Sequence, residues 1–237
     1  MRSDHRGNDE LRPVTVKRYF IETTPGSVLI SAGKTIVLCS ASVAEELPKW
    51  MPKDSLRGWI TAEYRMLPGS TNPRTPRNEK PDGRAAEIQR LIGRSLRSVV
   101  NLEKLGPRTI YIDCDVLQAD GGTRTLSVTG SYLAMIDAID SLHLAESPVT
   151  DSVAAVSVGI VGGVPMLDLP YSEDVEAEVD MNLVMTGAGR FVEIQGTGEE
   201  YAFSEEELDQ LLQLGKKGIR KLLNMQKNYK KSNLSVE

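Results

Sequence analysis

The stretch TIYIDCDVLQADGGTRT, residues 109–125, constrains the fold more than any other part of the chain. From Thr109 to Gln118 it alternates strictly, with Ile110, Ile112, Cys114 and Val116 pointing one way and Tyr111, Asp113 and Asp115 the other. That period belongs to a strand with one buried face. Two glycines follow, and then a helical pattern from Thr125 to Leu142. A strand that runs through Gly121 and Gly122 directly into a helix sets backbone N–H groups and the positive helix end where an anion docks. Thr123 adds a hydroxyl, and Arg124 a guanidinium fork suited to phosphate. Taken alone, such a turn is more often a structural N-cap than a ligand site. The anion reading needs partners elsewhere in the chain.

The remaining pattern alternates strands and helices. Three short strand segments come first: VTVKRYFIET, GSVLISAGKTIVLCSASV with a hairpin turn at Gly33 and Lys34, and GWITAEYRML. The triplet Gly33-Lys34-Thr35 is not a P-loop, because Val28 stands where that motif requires glycine. GSTNPRTPRNEKPDG, residues 69–83, is a loop, and from Arg84 a helix carries Ile88, Leu91, Ile92, Leu96, Val99 and Val100 on one side. Further on, VAAVSVGIVGGVPMLDL predicts a hairpin turning at Gly162 and Gly163, and EAEVDMNLVM and RFVEIQG predict two more strands. A closing helix begins at a capping box, Ser204 to Glu207, and a polar tail starts at about Lys227.

Composition removes several function classes. A chain of 237 residues, 40% hydrophobic and 26% charged, buries a real core. No run approaches the roughly 18 apolar residues of a membrane span, and the first residues are too polar for a secretory signal, so the expected location is the cytoplasm and no membrane partner is expected. Two cysteines, Cys39 and Cys114, read as small buried thiols, which suits a reducing compartment. With only His5 and His143, a zinc site or a histidine-dependent nucleophile has little material. Catalysis must lean on carboxylates and arginines. The formal net charge of −5 conceals a segregation: Arg74 to Arg97 holds seven basic residues against three acidic, while Phe191 to Gly215 holds seven acidic and no basic ones.

Arg84, opening its own helix after PDG, is one candidate partner for the Gly-Gly turn, since two helix N-termini each bearing an arginine make a phosphate site without a Walker motif. The segment YSEDVEAEVD offers Asp174 and Asp180, which share parity but lie about 20 Å apart if the strand is extended. Spacing alone favours acidic residues on a solvated strand edge; one site uses both only if the chain bends between them. Asp113 and Asp115, two apart on one face, form the rival carboxylate pair.

RGNDELRP at 6–13, GWITAEYRMLP at 58–68, GRAAEIQRLIGRSLR at 83–97, IDCDVLQADGGTRT at 112–125, EDVEAEVDMN at 173–182 and VEIQGTGEE at 192–200 closely resemble the bacterial ribonuclease PH family, over nearly the whole chain. The resemblance implies an α/β (α+β) fold of mixed sheets packed with helices, similar to the second domain of a ribosomal protein. It implies a single domain over residues 1–237, assembled as a homohexamer, a trimer of dimers. The implied activity is a phosphate-dependent 3′-to-5′ exoribonuclease that trims tRNA precursors and other RNA 3′ ends and releases nucleoside diphosphates. Inorganic phosphate is then the co-substrate, held by Arg84, Gly122, Thr123 and Arg124. Magnesium, with manganese as a substitute, falls to Asp174 and Asp180, which are also the implied catalytic pair, Asp180 protonating the leaving oxygen. Asp113 and Asp115 return to a structural role. Arg74 and Arg77 match arginines linked to RNA binding and ring assembly, but Gly69 stands where the family usually has another, and His5 where glycine is common. A non-catalytic RNA-binding ring subunit and a fragment of polynucleotide phosphorylase are the competing readings; the first lacks support because all four of Arg84, Arg124, Asp174 and Asp180 are present.

Overall fold

The strand read from residues 109–118 lies next to the edge of a five-stranded sheet in the computed structural model, which describes residue 2, residues 4–77 and residues 82–231. In chain order the elements are β1 (Val14–Arg18), β2 (Gly26–Ala32), β3 (Thr35–Ala44), β4 (Trp59–Met66), α1 (Gly83–Arg97), α2 (Leu102–Leu105), β5 (Thr109–Gln118), α3 (Thr123–Asp140), β6 (Val153–Val161), β7 (Val164–Leu167), α4 (Tyr171–Asp174), β8 (Val179–Thr186), β9 (Phe191–Gly198) and α5 (Glu205–Lys231). The first sheet has the order β1-β2-β3-β5-β4 and the second β7-β6-β8-β9. Every pairing is antiparallel except β4 with β5, which α1 and α2 connect as the crossover that parallel neighbours need.

Local chemistry explains most boundaries. Gly33 turns the β2–β3 hairpin with φ +55°, and Gly162 and Gly163 turn β6 into β7 with φ +58° and +72°. Asp82 caps α1 by accepting the Ala85 N–H at 2.7 Å, and its apolar stripe, Ile88, Leu91, Ile92 and Leu96, is buried against β4 and α3. The capping box of α5 forms in both directions: Ser204 N–H donates to Glu207 Oε2 at 2.7 Å, and Glu207 N–H to Ser204 Oγ at 3.2 Å. Helix α5 covers β6, β7 and β8, and it continues through the start of the polar tail to Lys231. Residues 232–237 of that tail, and 78–81 of the proline-rich loop with Glu79 and Lys80, lie outside the described residues.

Helix α3 packs on β2, β3 and β5 on one side and on β6 and β8 on the other, so every position from Thr125 to Ile139 is buried. Its hydroxyls turn inward to their own backbone: Ser127 Oγ donates to Thr123 O at 2.8 Å and Thr129 Oγ1 to Thr125 O at 3.1 Å. At Gly130 the sheet comes so close that an added Cβ would sit 2.7 Å from Ile30 Cγ2. Cys39 and Cys114, registered opposite each other on β3 and β5, are both buried free thiols beneath this helix. Among the described residues no helix is long and apolar enough to cross a membrane. The sandwiched helix aims its N-terminus at the gap between the two sheets.

Candidate active site

β5 ends at Gln118, and Gly121 and Gly122 then turn the chain into α3 with φ +73° and +66°. At Gly121 a Cβ would lie 2.4 Å from the Leu169 carbonyl oxygen, so the position combines a left-handed backbone with a close approach to another loop. The first backbone bond of the helix runs from Leu126 N–H to Gly122 O at 3.0 Å, which leaves the earlier amides at the open helix end. Gly121→Ala is expected to lower stability by about 2 kcal/mol or more and to weaken anion binding, read as a lower thermal midpoint and a smaller upward shift of that midpoint on adding inorganic phosphate. A midpoint and phosphate response equal to the parent's would contradict this account of the turn.

Buried polar groups brace the turn from behind. Thr35 Oγ1 donates to Gly121 O at 2.7 Å and accepts Asp120 N–H at 3.0 Å. Arg12, only 4% exposed, donates to Asp120 O at 2.5 Å and forms a bidentate pair with Asp168, 2.7 Å to Oδ1 and 3.1 Å to Oδ2. The Arg12 N–H adds a third bond to Asp168 Oδ2 at 2.7 Å. Burial alone would raise the Asp168 carboxyl, but the Arg12 hydrogen bonds and charge prevail and hold it below the ordinary carboxylate range. Beside this clamp, the Arg2 guanidinium pairs with Glu173 at 2.6 Å and donates to Leu167 O and Asp168 O. The resemblance motif RGNDELRP marks this segment, yet nothing in a polar N-terminal stretch announces that Arg12 is a core residue.

All six residues assigned to phosphate and catalysis line one cleft of about 360 Å³: Arg84, Gly122, Thr123, Arg124, Asp174 and Asp180. Arg84 enters from the first turn of α1 and Arg124 from the first turn of α3, so two helix N-termini do converge there. The Arg124 guanidinium is held at its back by Gln195 of β9 and, at 3.3 Å, by Glu87 of α1. Arg74 and Arg77 are exposed on the loop before α1 and do not line the cleft, although Thr71, Asn72 and Pro73 of that loop do. Asp113 and Asp115 lie on the outer face of β5, away from the cleft, where burial and the nearby Glu63 carboxylate raise both.

The chain does bend between Asp174 and Asp180. Asp174 closes the short helix α4 and Asp180 is the second residue of β8, and the extended strand edge suggested by spacing is replaced by a turn at Val175 and Glu176, where Ala177 N–H donates to Asp174 O at 3.4 Å. Asp180 is pushed up to about 6, first by burial and then by the Asp174 charge, with Arg124 pulling the other way. Asp174 is also raised by burial, against the pull of Arg84, Arg124 and Arg12. Asp180 Oδ2 accepts from Asn182 Nδ2 at 3.3 Å, while its Oδ1 is buried with no hydrogen-bond partner among the described residues. Such an orphaned carboxylate oxygen fits a hard cation or a protonated ligand atom. No group of three or more His, Cys, Asp or Glu able to hold a metal occurs among the described residues. Two carboxylates beside an arginine-lined cleft nonetheless suit magnesium, which commonly takes one or two carboxylates and completes its shell with water and phosphate oxygens.

Two family models match the chain, described as "3′ exoribonuclease family, domain 1" over residues 10–139 and "3′ exoribonuclease family, domain 2" over residues 151–218. The chain is 58% identical over 236 residues to ribonuclease PH of Bacillus subtilis, covering 96% of each protein. It is 54% identical over 233 residues to ribonuclease PH of Rhodopirellula baltica, covering 94% of each. Among solved structures it is similar to a chain of the Archaeoglobus fulgidus exosome with RNA bound to the active site, with a TM-score of 0.81, 26% identity, and coverage of 94% of this chain and 92% of that one.

Proposed function

Because the chain belongs to the 3′ exoribonuclease family and is a ribonuclease PH-type phosphorolytic 3′-to-5′ exoribonuclease, we propose that its cleft carries out the reaction with Arg84, Gly122, Thr123 and Arg124 on inorganic phosphate and with Asp174 and Asp180 on the scissile linkage. One observation carries this reading: two arginine-bearing helix N-termini and the bent carboxylate pair open onto the same cleft. Phosphorolysis brings two anions together, a free phosphate and the last internucleotide phosphodiester. The arginines and helix ends offset that repulsion and aim a phosphate oxygen in line at the phosphorus. A bond forms between that oxygen and phosphorus, the bond to the 3′ oxygen of the preceding nucleotide breaks, and the terminal nucleotide leaves as its diphosphate. Asp180, whose proton is held to a higher pH than that of an ordinary aspartate, donates to the departing 3′ oxygen. Magnesium, or manganese in its place, held by Asp174 and Asp180 would neutralise charge on the scissile phosphate.

Arg74 and Arg77 carry the RNA strand on this reading, supported by their exposure on a loop whose neighbouring residues line the cleft. The substrates are tRNA precursors and other RNA 3′ ends, met in the cytoplasm by a homohexameric ring, a trimer of dimers; Gly69 weakens that ring or its hold on tRNA. The whole chain from 1 to 237 acts as one catalytic unit.

The test is to incubate the protein with magnesium and a 3′-labelled tRNA precursor, with and without inorganic phosphate, and to identify the released mononucleotide. Diphosphates that appear only with phosphate are expected. Monophosphates released without phosphate would mean hydrolysis and remove the role given to the anion site.

A further inference from the structure

Tyr64 lies on β4 with its ring in the core, 2% exposed, and its phenol oxygen is 2.8 Å from Thr123 Oγ1. Neither heavy-atom position says which hydroxyl donates, but the surroundings do. The Thr123 bond is the one hydrogen bond of the Tyr64 hydroxyl among the described residues. Were Thr123 the donor, the phenol proton would be buried without an acceptor, one of the costlier arrangements in a protein interior. Thr123 has no such difficulty, because it lines the cleft and its proton can reach an acceptor there. Burial raises the phenol above its usual range, against the pull of Thr123, Arg84 and Arg124, so Tyr64 keeps its proton at neutral pH.

We propose that Tyr64 is a positioning residue: by donating to Thr123 Oγ1 it leaves the Thr123 proton to point into the cleft, so that this point of the site favours an acceptor oxygen such as that of phosphate. The inference rests on the reading of Thr123 as a phosphate ligand. A hydroxyl that already accepts a hydrogen bond is a stronger donor, and Thr123 is the first residue of α3, beside its open amides. Tyr64 reaches no substrate itself; it acts through Thr123. Without the phenol, the Thr123 hydroxyl is free to rotate and turn a lone pair toward the cleft, where the charged oxygens of phosphate need donors.

The experiment is a double-mutant cycle on the whole protein, using Tyr64→Phe, Thr123→Val and their combination, with KM for inorganic phosphate and kcat measured at saturating RNA. Tyr64→Phe removes one oxygen and leaves the ring packed, and thermal unfolding checks that each variant is folded. Expected is a rise of about five- to tenfold in phosphate KM for Tyr64→Phe, the worth of one hydrogen bond, with kcat changed by less than about twofold. In the Thr123→Val background the same substitution should change phosphate KM no further, and Thr123→Ser, which keeps the hydroxyl, should restore the sensitivity. A purely structural tyrosine would cost stability in both backgrounds and leave no such split. If Thr123→Val raises phosphate KM but Tyr64→Phe does not, or if the two effects simply multiply, Tyr64 does not position Thr123 and the proposal is overturned while the phosphate site stands. If Thr123→Val itself leaves phosphate KM unchanged, the phosphate reading of Thr123 fails first, and the role of Tyr64 goes with it.

Discussion

Asp180→Asn lowers the turnover of phosphorolysis by about 10²- to 10⁴-fold at saturating magnesium, with phosphate KM near that of the parent. The substitution is nearly isosteric and removes the ionisable carboxyl, including the buried Oδ1 that has no hydrogen-bond partner among the described residues, on which the proposed role of Asp180 depends. Stability is expected to move in the opposite direction. Burial and the Asp174 charge raise the Asp180 carboxyl to about 6 from an ordinary 3.8. The folded protein therefore holds this proton more tightly than the unfolded chain, and the group's contribution is lost as pH rises from about 3.8 to about 6. At neutral pH the ionised carboxylate is a burden of about 1–3 kcal/mol, and a neutral amide relieves part of it. A variant that is inactive yet melts no lower than the parent is the expected combination. Retained turnover in the pure variant would remove Asp180 from the chemistry, and a folded fraction well below the parent's would assign the loss to collapse of the cleft.

Arg12→Met destabilises the protein by about 3–5 kcal/mol, because it takes the bidentate partner from the buried Asp168 carboxylate, leaving it the backbone N–H of residue 12 and the Arg6 guanidinium at 3.6 Å, and releases the Asp120 carbonyl. For a chain of this length each kcal/mol shifts the midpoint by about 2–4 °C, so a fall of roughly 6–20 °C is expected in thermal unfolding at pH 7. The gap between the two proteins should close in acid. Asp168 is depressed below 3.8 in the fold, so its pairing contributes fully above that value and is lost as pH falls through the folded value. Unfolding scans from pH 7 to pH 3 test both statements; a gap that is small at pH 7 or does not narrow in acid contradicts the clamp. Phosphate binding should weaken in the same variant, since Arg12 secures the residues that precede Gly122.

These two predictions differ in how visible their residues are in the sequence. Asp180 is reached through a motif whose acidic residues are plain, although spacing along an extended strand argued against using it together with Asp174. The missing piece was the four-residue helix Tyr171–Asp174 with the turn at Val175 and Glu176 that follows it, too short to leave a periodic signature. Arg12 is invisible for another reason: its burial depends on Asp168, 156 residues away, and no local pattern encodes a contact at that separation. The same holds for Tyr64, which reads as one aromatic in a strand until α3 brings Thr123 to its hydroxyl.

The amino-acid sequence by itself determined the longer elements and most of their turns and caps, because period, turn glycines and caps act over a few residues: the alternation of Thr109–Gln118, the turns at Gly33 and Gly162, the capping box at Ser204. For the site it supplied candidates only: the Gly-Gly turn and the Asp174 and Asp180 spacing each favoured a structural role, and the phosphate and catalytic roles came with the family resemblance. Only the tertiary structure decided that α3 is buried between two sheets, that Arg12 and Tyr64 stand behind the Gly-Gly turn, and that Asp174 turns back toward Asp180. The physical reason is that burial and pairing belong to surfaces that meet across the fold, and a chain shows those surfaces only after it has closed on itself.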